Sequence, residues 1–152
     1  MFRINKRTDY AVRVLLSLAK YAGGSRKSIR EIQTEMIIPG AFLRRIVADL
    51  SAAGLVHTFP GPNGGLELSR PAWTINLRHI WESIEGPLLV SDCLKAPGVC
   101  ALDEGCPVHS RWEHLQTLIM SELNSTTLEQ LAIEAHLFAS QVPDRQSIIT
   151  VL

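Results

Sequence analysis

Apolar positions recur with helical spacing through the first third of the chain. Ala11, Val14, Leu15, Leu18 and Ala22 stand at i, i+3, i+4, i+7 and i+11, one face of a helix. Thr8 is a suitable N-cap for it, and Gly23-Gly24 a suitable stop. Ser28-Ile-Arg-Glu31 reads as a capping box that opens a short second helix with Ile29, Ile32 and Met36 apolar. Pro39 suits the first turn of a third. That helix turns Phe42, Leu43, Ile46, Val47 and Leu50 inward and Arg44, Arg45 and Asp49 outward, and Gly54 ends it. Two short strands, Leu55–Phe59 and Leu66–Ser69, flank the Gly-rich turn Pro60-Gly-Pro-Asn-Gly-Gly65.

Beyond Pro71 the helical period returns. Leu77, Ile80, Trp81 and Ile84 lie on one face of a helix over Ile75–Glu85, closed by Gly86-Pro87. Gly86–Gly105 has no period. A long helix then runs from Pro107 to about Leu123, with Val108, Trp112, Leu115, Ile119 and Leu123 as a stripe and Leu118 alongside. Thr126-Thr-Leu-Glu129 is a second capping box, opening a last helix through Leu131, Ile133 and Leu137; the tail after Pro143 has no clear pattern.

Three helices followed by a hairpin with a Gly-rich tip is the order of a winged helix-turn-helix. The fold class expected is therefore mainly α with a small β-hairpin wing. A winged helix-turn-helix covers residues 1–71, a connecting helix and loop 72–106, and a long helix with a last helix and tail 107–152.

Composition adds an asymmetry. The 152 residues have zero net charge, yet residues 1–61 carry ten Lys or Arg against four Asp or Glu, a balance of +6. The rest carries five against eleven, a balance of −6. A basic half of this kind suits a polyanion, and with the element order it points to double-stranded DNA. The third helix would enter the major groove, offering Arg44 and Arg45 to phosphates or guanine edges and Phe42 to a thymine methyl. Arg3, Lys6 and Arg7 at the start of the first helix would reach phosphates. Ser28, Pro39, Ala41 and the wing residues Gly61, Asn63, Gly64 and Gly65 complete the candidate DNA-binding set. Wing glycines permit close backbone approach.

The N-terminus is interrupted by Arg3, Lys6, Arg7, Asp9 and Arg13, so no signal peptide is expected. No apolar run reaches the ~18–20 residues of a membrane span. A cytoplasmic location and no membrane partner are the expectation. No nucleophile–base pair, phosphate loop or paired carboxylates appear at useful spacing, so the chain is not expected to be an enzyme.

All three cysteines fall in the aperiodic loop, as Cys93-x6-Cys100-x5-Cys106, with His109 one helical turn further on. Clustered thiols in such a chain suit metal or redox chemistry better than a disulfide scaffold. Soft thiolates favour iron–sulfur clusters, zinc or Cu(I). Cys106 stands where the long helix begins, and that helix terminus stabilises a thiolate or an anionic cluster. Zinc held by three cysteines and His109 is a competitor, although the tight C-x2–4-C pairs usual for structural zinc are missing. Three buried cysteines beside a surface histidine is the plain alternative. His57, His79, His114 and His136 are scattered and read as structural or solvated.

Several segments together resemble the IscR/NsrR family of bacterial iron–sulfur regulators. They are Ile4–Arg13 with Thr8-Asp9-Tyr10-Ala11, Ala53-Gly-Leu-Val56, Gly61-Pro-Asn-Gly-Gly65, Leu68-x-Arg-Pro71, Glu85-Gly86, the cysteine loop, and Cys106-Pro-Val-His109-x2-Trp112-x2-Leu115. The resemblance spans about residues 1–137. It implies a homodimer crossed by the long helix, and promoter binding governed by a 4Fe–4S or 2Fe–2S cluster that senses nitric oxide, redox state, iron or cluster supply. It implies Cys93, Cys100 and Cys106 as cluster ligands. The fourth ligand is His109 by analogy with IscR-like members, or Asp9 of the partner subunit by analogy with NsrR-like members. Pro60, Leu66, Arg44 and the six-residue first gap depart from the usual pattern, so no operator sequence carries over. A cluster-free repressor using its cysteines for zinc or thiol-redox sensing remains the alternative, and a protein-interaction module without DNA affinity is a further one.

Overall fold

The computed structural model describes residues 4–20, 26–102 and 105–141, without the side chains of Ser140 and Gln141. Arg3, Ala22, the Gly23-Gly24 stop and the tail after Pro143 lie outside the described residues. The chain opens with α1 (Lys6–Ala19), α2 (Ile29–Met36) and α3 (Gly40–Ala52). The hairpin β1 (Val56–Phe59) and β2 (Gly65–Leu68) follows, then α4 (Leu77–Glu85), α5 (Pro107–Ser125) and α6 (Leu128–Gln141). Single 3-10 turns occupy Ala72–Thr74 and Asp92–Leu94.

Local chemistry explains most boundaries. The cap of α1 is Asn5, whose side chain accepts from the Arg7 amide at 2.6 Å. Thr8, expected as the cap, is buried inside the helix and faces α4 instead. The Ser28–Glu31 capping box of α2 forms in both directions. Pro39 is the residue before α3 rather than in its first turn. Helix α4 starts two residues later than the apolar pattern suggested, because Asn76 and His79 make a reciprocal box there. At α6 the cap is Thr127, whose hydroxyl accepts from the Gln130 amide at 3.2 Å; Thr126 ends α5. Both threonines precede a compatible residue by three positions, so the sequence left the one-residue choice open.

The core explains the arrangement. Ala11, Val14, Leu15 and Leu18 of α1 share one buried cluster with Ile32, Ile38, Leu43, Ile46 and Leu50, with Val56 and Leu66 of the hairpin and Leu55 just before it, and with Ile80 of α4 and Ile75 ahead of it. Leu128 belongs to the same core, so α6 packs back on α1 and shares the core of the helix-turn-helix. A further tie is the Lys20 carbonyl, 2.9 Å from His136 Nε2. Helix α5 instead has no buried residue, and Val108, Trp112, Leu115 and Leu118 are exposed along it. Among the described residues, no helix is long and apolar enough to cross a membrane.

The hairpin is antiparallel, with Val56 opposite Leu68 and Phe59 opposite Gly65. Lys27 adds a single-residue bridge to Leu66, through backbone bonds of 2.9 and 2.7 Å. The wing is thereby tied to the segment that enters α2.

Candidate nucleic-acid interface and cysteine loop

Helix α3 buries Leu43, Ile46, Val47 and Leu50 and leaves Ala41, Phe42, Arg44 and Arg45 exposed, with Pro39 exposed ahead of it. That division follows from the apolar spacing, which commits one face to the core. Phe42, expected on the inward face, is 43% exposed instead, because the core side of α3 is filled by Leu43, Ile46, Val47 and Leu50, and its ring is held by Tyr10 of α1, edge to face at 5.8 Å. The Arg13 guanidinium lies 5.7 Å from the Tyr10 ring and 2.8 Å from Asp9. Lys6 is exposed at the start of α1. Arg7, expected to reach phosphate, bonds the Asp49 carboxylate of α3 at 2.6 Å and is half-buried.

The wing tip presents Gly61 and Asn63 to solvent, whereas Gly64 and Gly65 are half-buried. A Cβ on Gly64 would stand 2.1 Å from the Phe59 carbonyl oxygen, and one on Gly65 2.4 Å from that of Lys27. These two glycines therefore serve the packing of the wing itself. Arg26 stacks over the Phe59 ring at 3.4 Å and approaches Glu67 at 3.6 Å. No local pattern signals that stacking, because its members are distant in sequence. Ser28, a candidate DNA contact, has its hydroxyl engaged in the α2 cap.

A polar knot holds α1, α2 and the wing segment together. Ser17 is fully buried and donates to Glu35 at 2.6 Å, and Lys27 bonds both. Withdrawal from water pushes the Glu35 carboxyl up, but bonds from Lys27 and Ser17 outweigh it and hold the group below its ordinary value.

The cysteine loop spans the gap between α4 and α5. Its first half is pinned where the Val90 amide donates to Gln116 Oε1 of α5 at 3.1 Å. The 3-10 turn carrying Cys93 is closed by the Lys95–Asp92 ion pair at 2.6 Å. The bond from Lys95 holds the Asp92 carboxyl below its usual value. Cys93 Sγ lies 3.2 Å from Ser91 Oγ. Gly98 and Gly105 have φ of 78° and 90°, left-handed conformations that let the loop reverse. Cys106 is the residue before α5, followed by Pro107 at the first position. Cys93 and His109 line one cavity of about 320 Å³ with Lys95, Glu113 and Gln116.

All three cysteines are free and half-buried. Among the described residues, no three His, Cys, Asp or Glu side chains come together as a metal site. Cys93 and His109 meet at one cavity, but Cys100 and Cys106 are not gathered with them into a shell. Asp9 faces Arg13 on its own helix. The donor set fits an iron–sulfur centre by chemistry, being three free thiols on one reversing loop, one of them at a helix N-terminus. The geometry within one chain leaves that shell open.

Fold and surface define a winged helix-turn-helix protein whose third helix exposes two arginines. Comparison with known proteins agrees. The model of the Rrf2 family, described as iron-dependent transcriptional regulators, matches residues 4–134. The chain belongs to the Rrf2 family of transcriptional regulators. It is 33% identical to the protein aau3 of Rhizobium meliloti, covering 85% of this chain and 84% of that one. It is 30% identical to the regulator NsrR of Oceanobacillus iheyensis, covering 84% and 88%. Among solved structures, CymR, the global cysteine regulator of B. subtilis, superposes with a TM-score of 0.73 at 27% identity, covering 88% of this chain and 98% of that one. The relatives named as regulators fit the expectation of a DNA-binding transcription factor. Their names differ in the signal: the family is described by iron, CymR by cysteine.

Proposed function

We propose that this chain is a homodimeric, promoter-binding regulator whose DNA affinity is set by an iron–sulfur cluster. Cys93, Cys100 and Cys106 would hold the cluster, with His109 or Asp9 of the partner subunit as the fourth ligand. The observation that carries the reading is the loop itself. It concentrates every thiol of the chain between α4, which packs on the DNA-reading unit, and α5, which carries the exposed apolar stripe. A bound cluster supplies redox and ligand-exchange chemistry that can report nitric oxide, oxidants or iron supply.

The chain's own residues supply the rest. Val108, Trp112, Leu115 and Leu118 of α5 form the dimer seam, since such a stripe on a helix without buried residues asks for a partner helix. Residues 1–71 read DNA, 72–106 connect and sense, and 107–152 assemble the dimer, with α6 returning to brace α1. Arg44, Arg45 and Phe42 enter the major groove, while Lys6 and the wing tip meet the backbone. Two half-sites tolerate little mis-spacing, so a small shift of α4 and α5 changes affinity.

The open geometry within one chain favours a second reading. The cysteines then act as zinc or thiol-redox sensors without a cluster, on a fold shared with a regulator named for cysteine rather than iron. Iron and sulfide content and the absorption spectrum of protein purified without oxygen decide between them. Near-stoichiometric sulfide with visible absorption supports the cluster. Colourless protein after anaerobic reconstitution overturns it, and bound zinc then supports the second reading. The Asp9→Ala and His109→Ala spectra assign the fourth ligand; if neither differs from wild type, both assignments fail.

A further inference from the structure

Two segments that carry the family resemblance, Thr8-Asp9-Tyr10-Ala11 and Glu85-Gly86, take no part in the proposed DNA reading or cluster binding except through Asp9. They meet in the fold. The Thr8 hydroxyl, 4% exposed, donates to Glu85 Oε1 at 2.5 Å, across 77 residues of sequence. Glu85 is the last residue of α4, and Gly86, with φ of 79°, begins the cysteine loop. A carboxylate at a helix C-terminus is disfavoured by the dipole, so the hydroxyl's proton compensates a group the helix alone would not place there.

On the other side of the same peptide unit, Arg7 grips Asp49 of the reading helix α3 at 2.6 Å. Adjacent residues of α1 thus bond the stem of the cysteine loop and the helix that enters the groove. Tyr10, one turn of helix from Arg7, adds its ring against Phe42 of α3. Thr8, Arg7 and Tyr10 thus form a bonded path from the loop stem to α3 within a single turn of α1, beside the direct packing of α4 on α3.

We propose that Thr8 and Glu85 are positioning residues that couple the state of the cysteine loop to the DNA-reading helix through the first turn of α1. The proposal rests on the reading of the chain as a regulator controlled through that loop. It does not depend on which group the cysteines hold.

Coupling between two sites is reciprocal, so DNA bound at α3 must also alter the loop. The test therefore uses the full-length protein kept free of iron and zinc, under reducing conditions. A DNA duplex selected by this protein from a random-sequence pool is added, and alkylation of the three cysteines is timed with and without it. Wild type is expected to change its alkylation rate by about fivefold on binding, the low end of ordinary site-to-site coupling. Thr8→Val and Glu85→Ala are expected to bring that change below about twofold while still binding the duplex. Thr8→Ser and Glu85→Gln keep a donor and an acceptor and should retain it. Glu85 is exposed at a helix end, so Glu85→Ala provides the test if Thr8→Val does not fold. No DNA effect in wild type, or an undiminished effect in folded Glu85→Ala or Thr8→Val, overturns the proposal. Because no cluster enters the experiment, a protein that proves colourless would refute the iron–sulfur reading and leave this result standing.

Discussion

Ile37 shows what a single residue can store. It closes α2 in the left-handed conformation, with φ of 53° and ψ of 53°, the only non-glycine residue at positive φ among those described. Left-handed backbone costs an ordinary L-residue about 1–2 kcal/mol, and a β-branched one sits at the upper end. Ile37 is 75% exposed, so little burial offsets that cost. Ile37→Asn is expected to raise stability by about 1 kcal/mol, because asparagine tolerates this region. A melting point raised by a few degrees would confirm it; an unchanged one would show that the turn is not strained. The arginines divide at the same scale. Arg44 and Arg45 are exposed, whereas Arg7 is committed to Asp49. Replacing Arg44 and Arg45 together with alanine should weaken DNA binding at least tenfold. The slope of log affinity against log salt should become shallower by about 0.9 for each phosphate the variant no longer neutralises. An unchanged slope with relaxed base preference would assign them to base edges instead. Affinity equal to wild type would remove α3 from the interface.

At the scale of elements, helix α4 depends on an uncommon cap. The Asn76 amide donates to Nδ1 of His79 at 3.2 Å, which requires the neutral imidazole, while the His79 amide donates to the Asn76 side chain at 3.0 Å. Burial, aided by the charge of Arg70, lowers the His79 value from its ordinary 6.5. The neutral form is thus the native one. Its contribution is complete above the unfolded value of 6.5 and is lost as pH falls through the lower folded value. A melting curve series from pH 7.5 to 5 should show stability declining below about 6.5, by the worth of one hydrogen bond, about 0.5–1.5 kcal/mol. His79→Gln keeps a capping-box acceptor without a titration and should flatten that decline. An identical decline in the variant would assign it to another group. Glu35 adds a separate window. Its lowered value means that the Ser17–Glu35–Lys27 knot fails only in acid, below the ordinary carboxylate value of 4.5.

The whole molecule is divided between a saturated core and an unsatisfied helix. The helix-turn-helix, hairpin, α4 and α6 share one core, while α5 keeps Trp112 and Leu115 about two-fifths exposed. Trp112→Glu and Leu115→Glu should leave the monomer fold intact and convert a dimer to monomer in light scattering. DNA affinity should fall with it, because two linked half-site contacts become one. Dimers that persist in both variants would place the interface elsewhere.

The sequence by itself determined the elements and their order, because apolar periodicity and caps act within a few residues of each other. It also determined that Arg44 and Arg45 face out of α3, although it turned Phe42 inward, and that all three thiols share one aperiodic loop. Family resemblance marked Thr8-Asp9-Tyr10 and Glu85-Gly86 without saying that Thr8 touches Glu85. Tertiary structure alone decided the long-range pairings. Thr8 left its expected capping role for Glu85, Arg7 turned to Asp49, Arg26 found Phe59, and Leu128 carried α6 into the core. Each joins residues tens of positions apart, and no periodicity encodes which partner burial brings within bonding distance. The same reason separates the thiols' spacing from their geometry: sequence placed them on one loop, and the folded chain set how far apart that loop holds them.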